Sequence, residues 1–308
     1  MTYDVIVIGG GPAGLSGAVA LARALRSVLV VDAGQPRNAP VSGIHNYLTR
    51  DGMTPADFAT AGRAEVRRFG GEVIEDRVMS AHRGDLFEVT LAGGSVRQAR
   101  RLLVTTGVSD ELPDIPGLRE RWGRTVLHCP YCHGYEVRGK AIGIIGASPM
   151  SVHQALLWRQ WSQEVTLFRH TAPEPDEEQA RQLAGRGVTV VDQKVIEVGD
   201  DGVRLADGTV VARDALVVAT RVQAHGVPGL GLTIEEHPMG IGTFLPAEDP
   251  TGRTAVPGVW VAGNVADPMA QVITSAGAGL GAGAAINMDL VAEDAAHAVA
   301  HYRPASTR

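Results

Sequence analysis

Residues 128–136 read HCPYCHGYE and hold both cysteines of the 308-residue chain, Cys129 and Cys132, flanked by His128 and His133. Such residues could form a redox-active disulfide, a metal site, a haem attachment point, or two thiols that are merely neighbours. Cys-x-x-Cys-His has the form of c-type haem attachment. That chemistry belongs with an exported chain, and the N-terminus MTYDVIVIGGGPAG has neither a basic region nor a small-residue cleavage site, so a cytoplasmic chain is expected. Zinc needs about four ligands, and two cysteines between two histidines, with no second pair, make a crowded and incomplete set; no metal is expected. Two intervening residues at a helix start place the sulfurs within bonding reach and lower the thiolate pKa, which weighs against inert buried thiols. Two cysteines make no structural disulfide framework in such a compartment, so a bond between them would be catalytic. The pair reads as a redox-active disulfide.

A second set with chemistry is Gly9-x-Gly11-x-x-Gly14, which follows the apolar run DVIVI and opens the Ala/Leu-rich stretch PAGLSGAVALARAL. The next apolar run, SVLVVDAG, ends at Asp32. Glycines at this spacing allow a tight turn and let backbone approach a pyrophosphate at the helix N-terminus, while the acid suits a ribose hydroxyl. A dinucleotide site follows from the whole βαβ context rather than from the glycines alone.

The elements that must position these residues can be read along the chain. A helix is expected over 54–69, from its Thr-Pro start to Gly70-Gly71, and strands in EVIEDRV, LFEVTLAG and RLLVTTG. From 140 a second βαβ pattern appears in KAIGIIGASPMSVHQALLWRQWSQEVTLF, followed by a second strand cluster ending in ALVVAT. PGVWVAGNVADP gives another strand and loop, and QVITSAGAGLGAGAAINMDLV a small-residue helix, with only a weak helical signal beyond about 290. Two dinucleotide-binding-like halves result. Net charge is −6 with no long Lys/Arg run, and no apolar stretch reaches the ~18 residues of a membrane span, so neither nucleic acid nor membrane is an expected partner.

VIVIGGGPAGLSGAVALAR, LLVTTG, CPYC before a second βαβ unit, and VWVAGNVADP…QVITSAGAG together resemble the low-molecular-weight thioredoxin reductase family over nearly the whole chain. The resemblance implies an α/β fold of two Rossmann-like, three-layer domains, the second inserted in the first. FAD would occupy 1–113 and 242–308, and an NAD(P)H-binding-like domain carrying the CxxC would span 114–241. It assigns Gly9, Gly11, Pro12, Ala13 and Gly14 to the FAD pyrophosphate loop and Asp32 to the adenosine ribose. Asn46, Thr106 and Gly107 join the flavin nucleotide site. Gly263-Asn264 stands where the family has Gly-Asp for a ribityl hydroxyl, and Asn can still accept a hydrogen bond. Gln271, Val272 and Ile273 form the helix N-terminus beneath the flavin pyrimidine, where the dipole favours negative charge. Relatives of this kind are commonly homodimers.

Two departures from the family matter. The second glycine motif is degraded to Gly146-Ala147-Ser148-Pro149-Met150-Ser151, where Ser148 adds a side chain and Pro149 removes an N–H donor. The arginine cluster for the NADPH 2′-phosphate is thinned to Arg169 and His170, so FAD is the expected cofactor and NADPH is left open as a second one. The second departure is at the cysteines, where Pro130-Tyr131 replaces the small pair and His133 replaces the usual Asp. CPYCHG followed by Tyr135-Glu136 is similar to the gliotoxin, holomycin and depsipeptide dithiol oxidases. That implies Cys132 as the flavin-facing sulfur, Cys129 as the exchange sulfur and His133 as general acid/base, with His128 second in rank. The implied activity is oxidation of a small-molecule dithiol, electrons passing to FAD and then to oxygen or another acceptor. The rivals are an NADPH-dependent reductase of thioredoxin or a thioredoxin-like protein, and a flavin-bound redox sensor without turnover.

Overall fold

The computed structural model describes residues 2–302. Thr2–Ile8 forms the central strand its apolar run predicts, with Val5, Ile6 and Val7 fully buried. Alternation places Val5 and Val7 in one core and Ile6 and Ile8 in another, so the strand is covered on both faces. Val28–Asp32 pairs with it in parallel and repeats the division, Val28 and Val30 on one side, Leu29 and Val31 on the other. The parallel order is Glu72–Glu75, Val28–Asp32, Thr2–Ile8, Val96–Val104, Val259–Val261. The first half of Val96–Val104 instead carries the antiparallel strands Phe87–Leu91 and Val78–Arg83 on its far edge. Each fully buried Val, Leu or Ile side chain contributes roughly 1.5–3 kcal/mol of burial.

The helix Pro12–Arg23 lies close along the helix Val272–His301, because small residues line both. A Cβ on Gly279 would come within 1.9 Å of the Ala13 carbonyl oxygen, so only glycine allows this approach. The second helix does not fade near 290 but continues to His301. Arg26 reaches Asp294 at 2.7 Å and Arg101 reaches Asp289 at 2.5 Å and also Glu293, which anchors the extra turns.

A second unit repeats the plan. Its parallel sheet runs Thr189–Val191, Val165–Phe168, Ile142–Ile145, Ala215–Val218, Val126–Leu127, with a separate antiparallel meander of Val195–Gly199, Gly202–Leu205 and Val210–Val211. The helices Ser151–Trp158 and Glu177–Gly185 accompany it, the latter opened by a capping box between Asp176 and Gln179.

The compact units are not divided where the resemblance sets the domain limits. The first comprises residues up to Arg37, Ala56–Ser109 and from Val222 onward; the second comprises Asn38–Pro55 and Asp110–Arg221. Residues after Val222 join the first unit because Val227 and Leu230 enter its core beside Phe87 and Val89. Residues 303–308 of the expected FAD domain lie outside the described residues. Among the described residues no helix is long and apolar enough to cross a membrane.

Candidate active site

In the first unit the glycine loop is shaped by backbone that leaves no room for side chains. Gly9 has φ +108°, and a Cβ there would sit 2.4 Å from the Thr105 carbonyl oxygen. A Cβ on Gly14 would meet the Gly9 carbonyl oxygen at 1.9 Å. Thr105 itself, buried at the end of its strand, donates from Oγ1 towards the carbonyls of Ile8 and Gly9 at 3.0 and 2.8 Å and so ties the loop to the sheet. By contrast, nothing lies within 4 Å of a Cβ built on Gly11, so the loop is open at that point. Gly11 is the N-cap of Pro12–Arg23, with Pro12 in the first turn, no side-chain cap and no acid. The positive end of that helix is thus left bare, as an anion requires.

Asp32 ends the second strand with its Oδ2 2.7 Å from Arg63 Nη2 and its Oδ1 3.3 Å from the Gly34 nitrogen. Beside it is a cavity of about 190 Å³ lined by Asp32, Thr60, Arg63 and Glu75 among others. Gly263 (φ +78°) presses on Ala13, where a Cβ would stand 2.8 Å from the Ala13 methyl. Asn264 donates from Nδ2 to the carbonyls of Asp267, Pro268 and Ala270 at 3.1, 3.3 and 2.8 Å. That explains asparagine here, since a carboxylate could donate to none of them. Gln271 caps the long helix without a side-chain bond or an acid in the first turn, so Val272 and Ile273 open a second bare N-terminus. An open glycine loop, a strand-end carboxylate and two uncapped helix starts fit FAD, which the family implies as the cofactor.

In the second unit Cys129 is the N-cap of a single helical turn, Pro130–His133, and accepts at its carbonyl from the Cys132 and His133 nitrogens at 3.2 Å each. Both cysteines are half-buried. Gly134 follows because Trp161 packs on it; a Cβ would lie 2.8 Å from the indole. Tyr131 is 57% exposed and stands edge-on to Trp161, ring centroids 5.6 Å apart. His128 directs Nδ1 to the Val218 carbonyl at 3.3 Å. Burial pushes His133 below the ordinary imidazole value; nearby Glu136 opposes this, while His45 and His128 add to it.

Asn46, which the resemblance assigns to FAD, clusters with this unit and donates from Nδ2 to the Tyr131 carbonyl oxygen at 2.5 Å. Its neighbour His45 sits between Asp51 (3.4 Å) and Glu136 (3.6 Å). His45 does not stand out in the sequence, because its loop and the CxxC turn with Glu136 are far apart along the chain. Among the described residues no group of three or more His, Cys, Asp and Glu is arranged to hold a metal.

The degraded loop at 146–151 is closed upon itself. Ser151, buried at the start of its helix, places Oγ 3.1 Å from the Ala147 nitrogen and 3.3 Å from that of Ser148. Ser148 Oγ accepts from Met150, and Pro149 has no N–H to give. Arg169 is bound to Asp192 and to the Ala172 carbonyl, and His170 Nδ1 accepts from the Val195 nitrogen.

The model of the pyridine nucleotide-disulphide oxidoreductase family matches residues 3–281. The thioredoxin reductase tcpT of Claviceps purpurea is 31% identical, with 94% of this chain and 95% of that protein covered. Among solved structures, HlmI is 46% identical with TM-score 0.87, covering 97% of this chain and 95% of that one. An oxidoreductase from Agrobacterium tumefaciens is 40% identical with TM-score 0.89, covering 94% and 99%.

Proposed function

Because the chain belongs to the pyridine nucleotide-disulphide oxidoreductase family and is an FAD enzyme of the disulfide oxidoreductase type, we propose that it oxidises a small-molecule dithiol to a disulfide. The observation that carries this direction is the loop 146–151, whose N–H groups at Ala147, Ser148 and Met150 are engaged by Ser151 and Ser148 rather than offered to a phosphate. The domain that would receive NADPH then serves as scaffold for Cys129 and Cys132.

The steps balance on the protein's own sulfurs. A substrate thiolate attacks Cys129, Cys132 leaves as a thiolate, and a mixed disulfide joins Cys129 to the substrate. The second substrate thiol, as its thiolate, attacks the substrate sulfur of the mixed disulfide and breaks that sulfur's bond to Cys129. The product disulfide closes and Cys129 leaves as a thiolate. Two electrons and two protons have moved from the substrate to the cysteine pair. His133, kept neutral by burial, removes the proton from each incoming thiol and returns it to a leaving sulfur. His128 and His45 stand near enough to act on its charge. Bound FAD supplies acceptance of the electron pair from the cysteines and its delivery to oxygen or another acceptor.

The test is anaerobic flavin absorbance: bleaching by a dithiol, recovery in air and no bleaching by NADPH. Rapid bleaching by NADPH followed by reduction of thioredoxin would establish the reverse activity, which the names of the fungal relatives favour. Neither response would leave a redox sensor.

The same reading includes a homodimer. Leu280 and Met288 on the long helix are 54% and 73% exposed, and with Val19 and Ala20 they border a shallow groove of about 490 Å³. A second copy of this apolar face is its fitting cover. Met288→Glu should then convert the dimer to monomer in sedimentation experiments.

A further inference from the structure

We infer that His225 is a positioning residue for FAD, holding the Thr106–Gly107 turn from behind. Four hydrogen bonds join residues 119 or fewer positions apart within the first unit. The Thr106 hydroxyl donates to the His225 carbonyl at 2.5 Å, and the His225 nitrogen donates to the Gly107 carbonyl at 3.2 Å. The imidazole Nδ1 faces the Thr106 carbonyl at 3.2 Å, and Nε2 faces Ser109 Oγ at 2.7 Å.

The ring's tautomer follows from its partners. A carbonyl oxygen only accepts, so Nδ1 carries the proton, Nε2 is the acceptor, and the Ser109 hydroxyl donates to it. Both ring nitrogens are thereby fixed on the turn.

The consequence falls on the other side of the backbone. In a trans peptide the N–H points opposite to the C=O. With the Thr106 and Gly107 carbonyls both turned to His225, the N–H groups of Gly107 and Val108 are turned away from it. Gly107 has φ +70° and nothing within 4 Å of a Cβ built there, so the turn is uncrowded at that residue. His225 thus fixes which way the backbone donors of the turn face, and the FAD nucleotide would be received on that side. The inference rests on the reading that this turn receives FAD.

The experiment removes the flavin from the full-length protein and titrates FAD back by fluorescence quenching, with the thermal midpoint of the flavin-free protein measured alongside. His225→Ala keeps the two backbone bonds and loses the two made by the ring, so it should weaken FAD binding about tenfold, and Ser109→Ala, which loses one, about threefold. His225→Asn, whose amide can still donate to the Thr106 carbonyl, should recover part of the loss. Unchanged affinity in both His225→Ala and Ser109→Ala would overturn the inference. So would a loss not recovered by Asn and matched by an equal fall in flavin-free stability. If His225→Ala does not fold, Ser109→Ala, at an exposed hydroxyl, decides alone. Gly107→Val separates the premise: full FAD affinity in that variant would show that the turn does not receive FAD at all.

Discussion

Ser151 Oγ lies 3.1 Å from the Ala147 backbone nitrogen, and this contact closes the second nucleotide loop from within. A dinucleotide loop works by leaving its N–H groups to the phosphate, whereas here the loop's own hydroxyls take them. NADPH and NADH are therefore expected to leave the flavin oxidised under anaerobic conditions. Restoring glycines alone at Ser148 and Pro149 should not produce bleaching, because Ser151 would still hold the Ala147 donor. Appreciable bleaching of the wild type within seconds would refute this.

Asn264 yields a second prediction, one that runs against intuition. Asp is the residue the family carries at this place, yet Asn264→Asp should weaken rather than improve FAD retention. The side chain donates to three carbonyls, at Asp267, Pro268 and Ala270, and a carboxylate would instead face three oxygens. The cost of such unpaired acceptors is about 1–3 kcal/mol, read as a lower thermal midpoint and a higher FAD dissociation constant. Equal or tighter FAD binding in the variant would show that the loop does not depend on those bonds.

His133 sets a pH dependence. Burial holds its pKa below the ordinary 6.5, so in the folded protein the ring is neutral at pH 7 and can accept a thiol proton. The acid limb of dithiol-driven flavin reduction should accordingly have its midpoint below pH 6.5. Glu136 favours the charged ring, so Glu136→Gln should move that limb further towards acid. The stability effect has a definite sign: the unfolded imidazole binds its proton first, so this group's contribution is intact above pH 6.5 and is lost as pH falls through the folded value. A limb above 6.5, unmoved by Glu136→Gln, would assign the proton transfer elsewhere.

What the sequence made legible was local. The DVIVI run, the Gly9–Gly14 spacing and Asp32 lie within one βαβ unit, so period and spacing alone place them. Cys129 and Cys132 are equally self-contained. His225 reads as one scattered histidine because its partner Thr106 is 119 positions away. Asn46 meets Tyr131 across 85 positions, so nothing local ties that loop to the cysteines. The helix past 290 gives only a weak signal for a related reason: Asp289, Glu293 and Asp294 find their arginines at 26, 100 and 101. Ser151 is different, being only four positions from Ala147; what hides its role is the direction of its hydroxyl, not distance.

Asn46 is where sequence resemblance and three-dimensional position point to different work. The resemblance gives it to FAD, while its side chain donates to the Tyr131 carbonyl between the two cysteines. Its backbone is left-handed, φ +59°, so Asn46→Ala would mix backbone strain with loss of the bond. Asn46→Gly suits that backbone and removes only the side chain. With the bond gone, the Pro130–His133 turn loses a fixed point, and dithiol-driven reduction should slow about fivefold. FAD affinity should change less than twofold by the same reasoning, since the bond lies within the cysteine unit. The reverse outcome, weaker FAD binding with an unchanged dithiol step, would return Asn46 to the cofactor.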